Sequence, residues 1–134
     1  MSGQALAVAE RIRRRPEFER VYNEGTRVHG RFMTVFVLPN GSAAARLGVA
    51  ATRKIGSSVD RNRAKRLARE VFRRNKIAAG LDIVVVPRRE MLDASFASLE
   101  SDYLATVDRC VRTHDSPSSN RRRGHPRARA ASRL

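Results

Sequence analysis

Residues 57–74 read Ser57-Ser-Val-Asp-Arg-Asn-Arg-Ala-Lys-Arg-Leu-Ala-Arg-Glu-Val-Phe-Arg-Arg74. Ser57 with Asp60 three residues on has the form of a capping box, and no Gly or Pro interrupts the stretch, so it predicts a helix. At about 100° per residue from Arg61, Ala64, Leu67, Ala68 and Val71 fall on one stripe with Phe72 at its edge. Arg61, Asn62, Lys65, Arg66, Arg69 and Arg73 share the adjoining stripe. Five cations on one side repel one another, and apart from Asp60 in the capping box only Glu70 lies within the segment to offset them. A merely solvated face is better served by mixed-sign pairs, whereas a polyanion laid along this one removes the repulsion. Arg63 falls on the back of the helix, where an ion pair or a contact with the rim suits it better.

On the N-terminal side, Leu47, Val49 and Ala51 alternate with Gly48, Ala50, Thr52 and Lys54, which predicts a strand with one apolar face and one small, polar face. Arg31 to Leu38 alternates likewise and ends at the turn Pro39-Asn40-Gly41. Met33, Val35 and Val37 take its core side and Phe32, Thr34 and Phe36 the other, where an uncovered aromatic is costly unless something binds it. The short loop between these strands predicts an antiparallel hairpin. Further back, Pro16 starts a short helix with Glu17 and Glu19 in its first turn, Gly25 at its end, and Phe18, Val21 and Tyr22 along one side. By default such a stripe is core packing. Arg27 to His29 can add a short strand, and residues 1–12 read as a flexible lead-in.

On the C-terminal side, Gly80 is read as the end of the basic helix, and Leu81 to Arg88 as a short buried strand with Pro87 confined to its end or to an edge. Asp93 or Ser95 caps a last helix on which Phe96, Leu99, Tyr103, Val107 and Cys110 recur at three- and four-residue steps. From Ala94 to Asp115 there are four acids and two bases, so this helix reads as packing that faces away from any polyanion. Residues 115–134, with six arginines from 116 onward and no acid among those, read as a disordered Arg-rich tail. Added polyanion affinity and plain solvation both fit its composition. The elements give an α+β chain, a two-layer sandwich with the two longer helices on one face of a mixed sheet of about four strands.

The ordered run from Arg46 to Arg74 resembles the signature of the bacterial ribonuclease P protein family: Arg46-Leu-Gly-Val, then Lys54-Ile-Gly-Ser-Ser-Val, then Arg61-Asn-Arg-Ala-Lys-Arg-Leu-Ala-Arg-Glu. The likeness spans about Arg13 to Thr113, within a domain placed at residues 13–114. It implies a ribosomal-S5-domain-2-like fold with a left-handed βαβ crossover through the basic helix. It also implies two partners, a catalytic RNA subunit and the single-stranded 5′ leader of precursor tRNA, with endonucleolytic removal of the leader to give the mature tRNA 5′ end. On this likeness Arg53, Lys54, Arg61, Asn62, Arg63, Lys65, Arg66 and Arg69 meet the catalytic RNA. Phe18, Tyr22, Thr34, Phe36, Thr52 and Lys54 line a groove for the leader, and Ala50 stands where relatives are expected to carry a hydroxyl. Mg²⁺, held mainly by the RNA subunit, would serve the cleavage; no metal and no catalytic residue is expected on the protein, and no stable protein partner.

Composition agrees with that class. Lys and Arg number 28 against 13 Asp and Glu, a net charge of +15, and only three of the cations are Lys. Arg offers phosphate a planar, permanently charged fork and can also stack on bases. No apolar stretch is long enough to span a membrane, the N-terminus lacks the order of a secretory signal, and a single cysteine fits a reducing cytoplasm. His29, His114 and His125 are scattered, with no metal-ligand spacing, no P-loop and no nucleophile–base grouping. A structural ribosomal RNA-binding protein would share the size and basicity, but would co-sediment with ribosomes and leave precursor cleavage unaffected. A duplex-DNA reader would share the basic helix, but helix-turn-helix spacing is lacking around residues 57–74.

Overall fold

The computed structural model describes residues 10–77 and 80–115. In chain order it contains α1 (Arg15–Glu24), β1 (Thr26–His29), β2 (Met33–Pro39), β3 (Arg46–Val49), α2 (Ser58–Arg74), β4 (Leu81–Pro87) and α3 (Phe96–Asp115). Two 3-10 turns, Arg53–Ile55 and Arg89–Asp93, precede α2 and α3. The capping box forms: the Asp60 N–H donates to Ser57 Oγ at 3.2 Å, and the Ser57 N–H donates to Asp60 Oδ2 at 3.2 Å. The helix ends at Arg74 rather than at Gly80, because the Asn75 amide donates to the Val71 carbonyl at 2.9 Å and takes up a terminal acceptor. Of the two candidate caps for α3, Ser95 is the one used, its Oγ accepting from the Ser98 N–H at 3.1 Å.

The strand order is β1-β2-β4-β3. β2 is antiparallel to both β1 and β4, and β3 is parallel to β4. This corrects the expected hairpin, since β2 and β3 run in opposite directions but never pair. β4 lies between them because Ile83, Val84 and Val85 are apolar on both faces and buried on both, which only an interior strand allows. The loop from Pro39 to Ala45 therefore passes over the start of β4, where the Asn40 N–H donates to the Gly80 carbonyl at 3.0 Å. The outer edge of β3 is covered as well. Arg11 bridges to Leu47 in parallel and the Ile12 N–H donates to the Leu47 carbonyl at 2.9 Å, so residues 10–12 are docked chain rather than loose lead-in.

α2 and α3 pack on one sheet face, burying Met33, Val35, Val37, Leu47, Ile83 and Val85 with Val71, Phe72, Leu99 and Tyr103. Cys110 is part of that core, and burial pushes its thiol up to about 12, which keeps it protonated and unreactive. The opposite face has a smaller cluster of Ile12, Val21, Phe36, Leu38 and Val84, roofed by α1. Among the described residues no helix is long and apolar enough to cross a membrane.

Candidate functional site

On the α1 side of the sheet, register sets side chains in rows across the strands. One row runs Gly48, Val84, Phe36, Arg27, and the next runs Val86, Thr34, His29, with Ala50 at its β3 end. α1 covers the first row. Tyr22 meets Phe36 edge-on with ring centroids 4.8 Å apart, and Phe18 lies 6.3 Å from Tyr22. Phe36 is accordingly only 2% exposed. Its ring supports Tyr22 from below rather than standing in an open channel, because α1 supplies the cover that periodicity in β2 alone does not reveal. The second row has no such roof: Val86, Thr34 and Ala50 are half-buried and His29 is exposed.

Phe18 can approach β3 closely because residue 48 is glycine. A Cβ there would stand 2.8 Å from the Phe18 ring and 3.0 Å from Ile12 Cβ. Gly48→Ala is therefore expected to push the ring outward and lower stability by roughly 1–2 kcal/mol, the usual cost of overpacking. A thermal melt coinciding with that of the parent protein would show that the contact is slack.

Thr52 and Lys54 are exposed just past Ala50, where Thr52 caps the turn by accepting from the Lys54 N–H at 3.3 Å. Gly56 then adopts φ 142°, open in practice only to glycine, and the Asp60 carboxylate fills the space a side chain would need. Arg89 donates to the Ile55 carbonyl at 2.8 Å and fixes this joint from the other side. The aromatic wall and the basic helix are thus linked through one short turn.

On α2, Asn62 and Arg66 are exposed and Arg61, Lys65 and Arg69 half-buried. Glu70 is already engaged with Arg73 at 2.6 Å and Arg74 at 2.7 Å, so it leaves the rest of the face uncompensated. Arg61 donates to the Gly56 carbonyl at 3.1 Å, and Arg63, behind the face, donates to the Leu92 carbonyl at 3.1 Å, the rim contact its position suggests. Lys65, Arg66 and Arg69 form no ion pair within the described residues, nor do Arg53 and Lys54. Arg11, which helical periodicity in α2 could not point to, extends this surface. Its Nε is buried without a partner, and burial followed by the Arg11 charge holds the Arg69 guanidinium below its usual range. Like charges packed this way are relieved by an anion.

A polar anchor between α1, β3 and β4 has no signal in the local sequence. Arg46 grips Asp82 with both arms of its guanidinium, at 2.8 and 2.7 Å, and reaches Glu17 at 3.2 Å. The Asn40 amide donates to Asp82 at 2.9 Å. Burial pushes the Asp82 carboxyl up, but hydrogen bonds from Arg46 and Asn40 outweigh it and hold the group below its ordinary value. Among the described residues no three His, Cys, Asp or Glu side chains gather as metal ligands.

Comparison with known proteins places this geometry. The family model described as Ribonuclease P matches residues 6–111. The ribonuclease P protein component of Caldanaerobacter subterraneus subsp. tengcongensis is 39% identical over 92 residues, covering 67% of this chain and 79% of that protein. That of Thermotoga maritima is 42% identical over 84 residues, covering 61% and 72%. The structure of the Thermotoga maritima RNase P protein superposes with a TM-score of 0.68 at 37% identity, covering 75% of this chain and 96% of that one. The Staphylococcus aureus RNase P protein gives a TM-score of 0.64 at 29% identity over 74% and 93%.

Proposed function

The chain belongs to the ribonuclease P protein component family, and from that premise we propose that it is the protein subunit that positions precursor tRNA for 5′ maturation while the RNA subunit cuts the phosphodiester. The observation that carries this reading is the placement of two different surfaces on either side of one turn. Lys65, Arg66 and Arg69, with Arg53, Lys54, Arg61 and Asn62, make a cationic face suited to the phosphates of a folded RNA. Contacts of that kind fix position without reading sequence. Phe18 and Tyr22, beside the open row Thr34–Val86–Ala50, offer ring faces and a shallow floor to unpaired bases.

The protein's own residues bind, orient and screen charge. Cations between two RNAs lower the repulsion that would otherwise separate enzyme and substrate, and the aromatic wall keeps the leader extended so that the cut falls at the mature 5′ end. Mg²⁺, supplying the electrostatic stabilisation of phosphoryl transfer, belongs mainly to the RNA partner. The direct test is cleavage of a precursor tRNA by the partner RNA at low Mg²⁺ with and without this protein; no gain on addition refutes the reading.

Stacking on a ring contributes about 1–3 kcal/mol per base. Phe18→Ala is thus expected to weaken binding of leader-bearing precursor by roughly 5- to 100-fold while leaving mature tRNA unaffected. Tyr22→Ala should do the same, and Tyr22→Phe should retain most of the affinity. Equal losses for precursor and mature tRNA would reduce both rings to packing.

A further inference from the structure

Beyond the residues assigned to the leader so far, the open row continues past β2. His29 pairs with Thr34 across β1 and β2, and its Nδ1 lies 2.9 Å from Thr34 Oγ1. Arg27, two residues earlier on the same outward side, is exposed at the end of the neighbouring row beside Phe36. Arg88 enters from the end of β4, its N–H donating to the Phe32 carbonyl at 2.9 Å and its side chain exposed. Three segments thus bring three basic groups and a hydroxyl to one end of an otherwise apolar floor. Neither arginine forms an ion pair within the described residues. Asp102, which α3 brings to the turn between β1 and β2, is spent on the Arg31 and Phe32 N–H groups at 2.9 and 2.8 Å.

We propose that this corner is a phosphate subsite for single-stranded RNA, in which Arg27, His29 and Arg88 hold the leader backbone after it has crossed the sheet from Phe18. The proposal rests on the groove reading above and adds its far end. Three inter-strand steps separate β3 from β1, about 14 Å at roughly 4.8 Å each. That distance is spanned by about four nucleotides at the roughly 3.4 Å rise of a stacked strand. Leader length therefore decides whether the corner is reached. Burial, then the charges of Arg27 and Arg88, hold the His29 imidazole below its ordinary value, so it is largely neutral when the corner is empty. A bound phosphate reverses that balance, so binding takes up a proton and tightens as pH falls.

The test uses the assembled holoenzyme and precursors carrying two-nucleotide or ten-nucleotide leaders. The double variant Arg27→Ala/Arg88→Ala is expected to lose about tenfold in affinity for the long leader and nothing for the short one. Lowering pH from 7.5 to 6 should tighten only the long-leader complex, and His29→Gln should abolish that change. All three side chains are exposed or hydrogen-bonded only to a surface hydroxyl, so the variants should melt with the parent. If Phe18→Ala still separates precursor from mature tRNA while the corner variants treat both leader lengths alike, the groove stands and the subsite is overturned. Loss of RNA-subunit assembly in the corner variants would assign the corner to the other RNA and equally overturn it. If neither set responds to the leader, the groove itself falls and the subsite with it.

Discussion

Joint replacement of Lys65, Arg66 and Arg69 by alanine is expected to weaken assembly with the ribonuclease P RNA by roughly 100-fold near physiological salt. Each phosphate neutralised by the protein releases condensed counterion, so the slope of log affinity against log salt should also become shallower, by nearly one unit for each phosphate given up and about two to three in total. These three are preferred to Arg61 because Arg61 also holds the Gly56 carbonyl, and its replacement would disturb the entry to α2. Arg63 serves as the control on the same helix, since its guanidinium is engaged by the Leu92 carbonyl. Arg63→Ala should shift stability slightly and leave the salt slope in place. Titrations at several salt concentrations decide the matter: parallel slopes for parent and triple variant would remove this face from the interface.

The largest effect on the fold itself is expected at Arg46. Arg46→Ala strands the Asp82 carboxylate, 3% exposed, with Asn40 as its remaining partner. Removing one member of a buried ion pair costs about 3–5 kcal/mol. With the Arg46 side chain 27% exposed, water can partly replace it, and about 3 kcal/mol is expected in chemical denaturation. Arg46→Lys should recover only part, because an ammonium cannot reproduce the two-armed grip. The pH dependence has a definite sign. In the parent protein the Asp82 value is depressed, so its contribution is complete above the unfolded value near 3.8 and is lost as pH falls through the lower folded one. In Arg46→Ala, burial dominates and the folded value rises, so acid neutralises the stranded charge. The gap between parent and variant should narrow from pH 7 towards pH 4; a gap that is constant with pH would mean the two side chains contribute only by packing.

Much of this molecule is legible locally. α2 is written out in its capping box, its uninterrupted length and its divided faces, and the terminal helix in the spacing of Leu99, Tyr103, Val107 and Cys110. What sequence periodicity cannot carry is the identity of a neighbour far along the chain. The loop after Pro39 looks like a hairpin turn, and only the two-sided burial of Ile83, Val84 and Val85 explains why another strand separates its arms. Phe36 alternates as an outward residue and does point outward, yet the helix lying over it comes from residues 15–24, so its burial is invisible within β2. The Arg46–Asp82 pair is hidden for the same reason: an arginine in a chain with 25 of them attracts no notice until a carboxylate 36 positions away closes on it.

The insertion of β4 between β2 and β3 also has a consequence for biosynthesis. A nascent chain emerging from its N-terminus can zip β1 onto β2 at once, but β3 and the cation-bearing helix after it have no sheet to rest on until residues 81–87 arrive. Non-local pairing of this kind is the slow part of assembly. The cationic face and the aromatic wall are therefore completed by the same late event, and a polypeptide stalled before Leu81 would display its arginines without the scaffold that aims them.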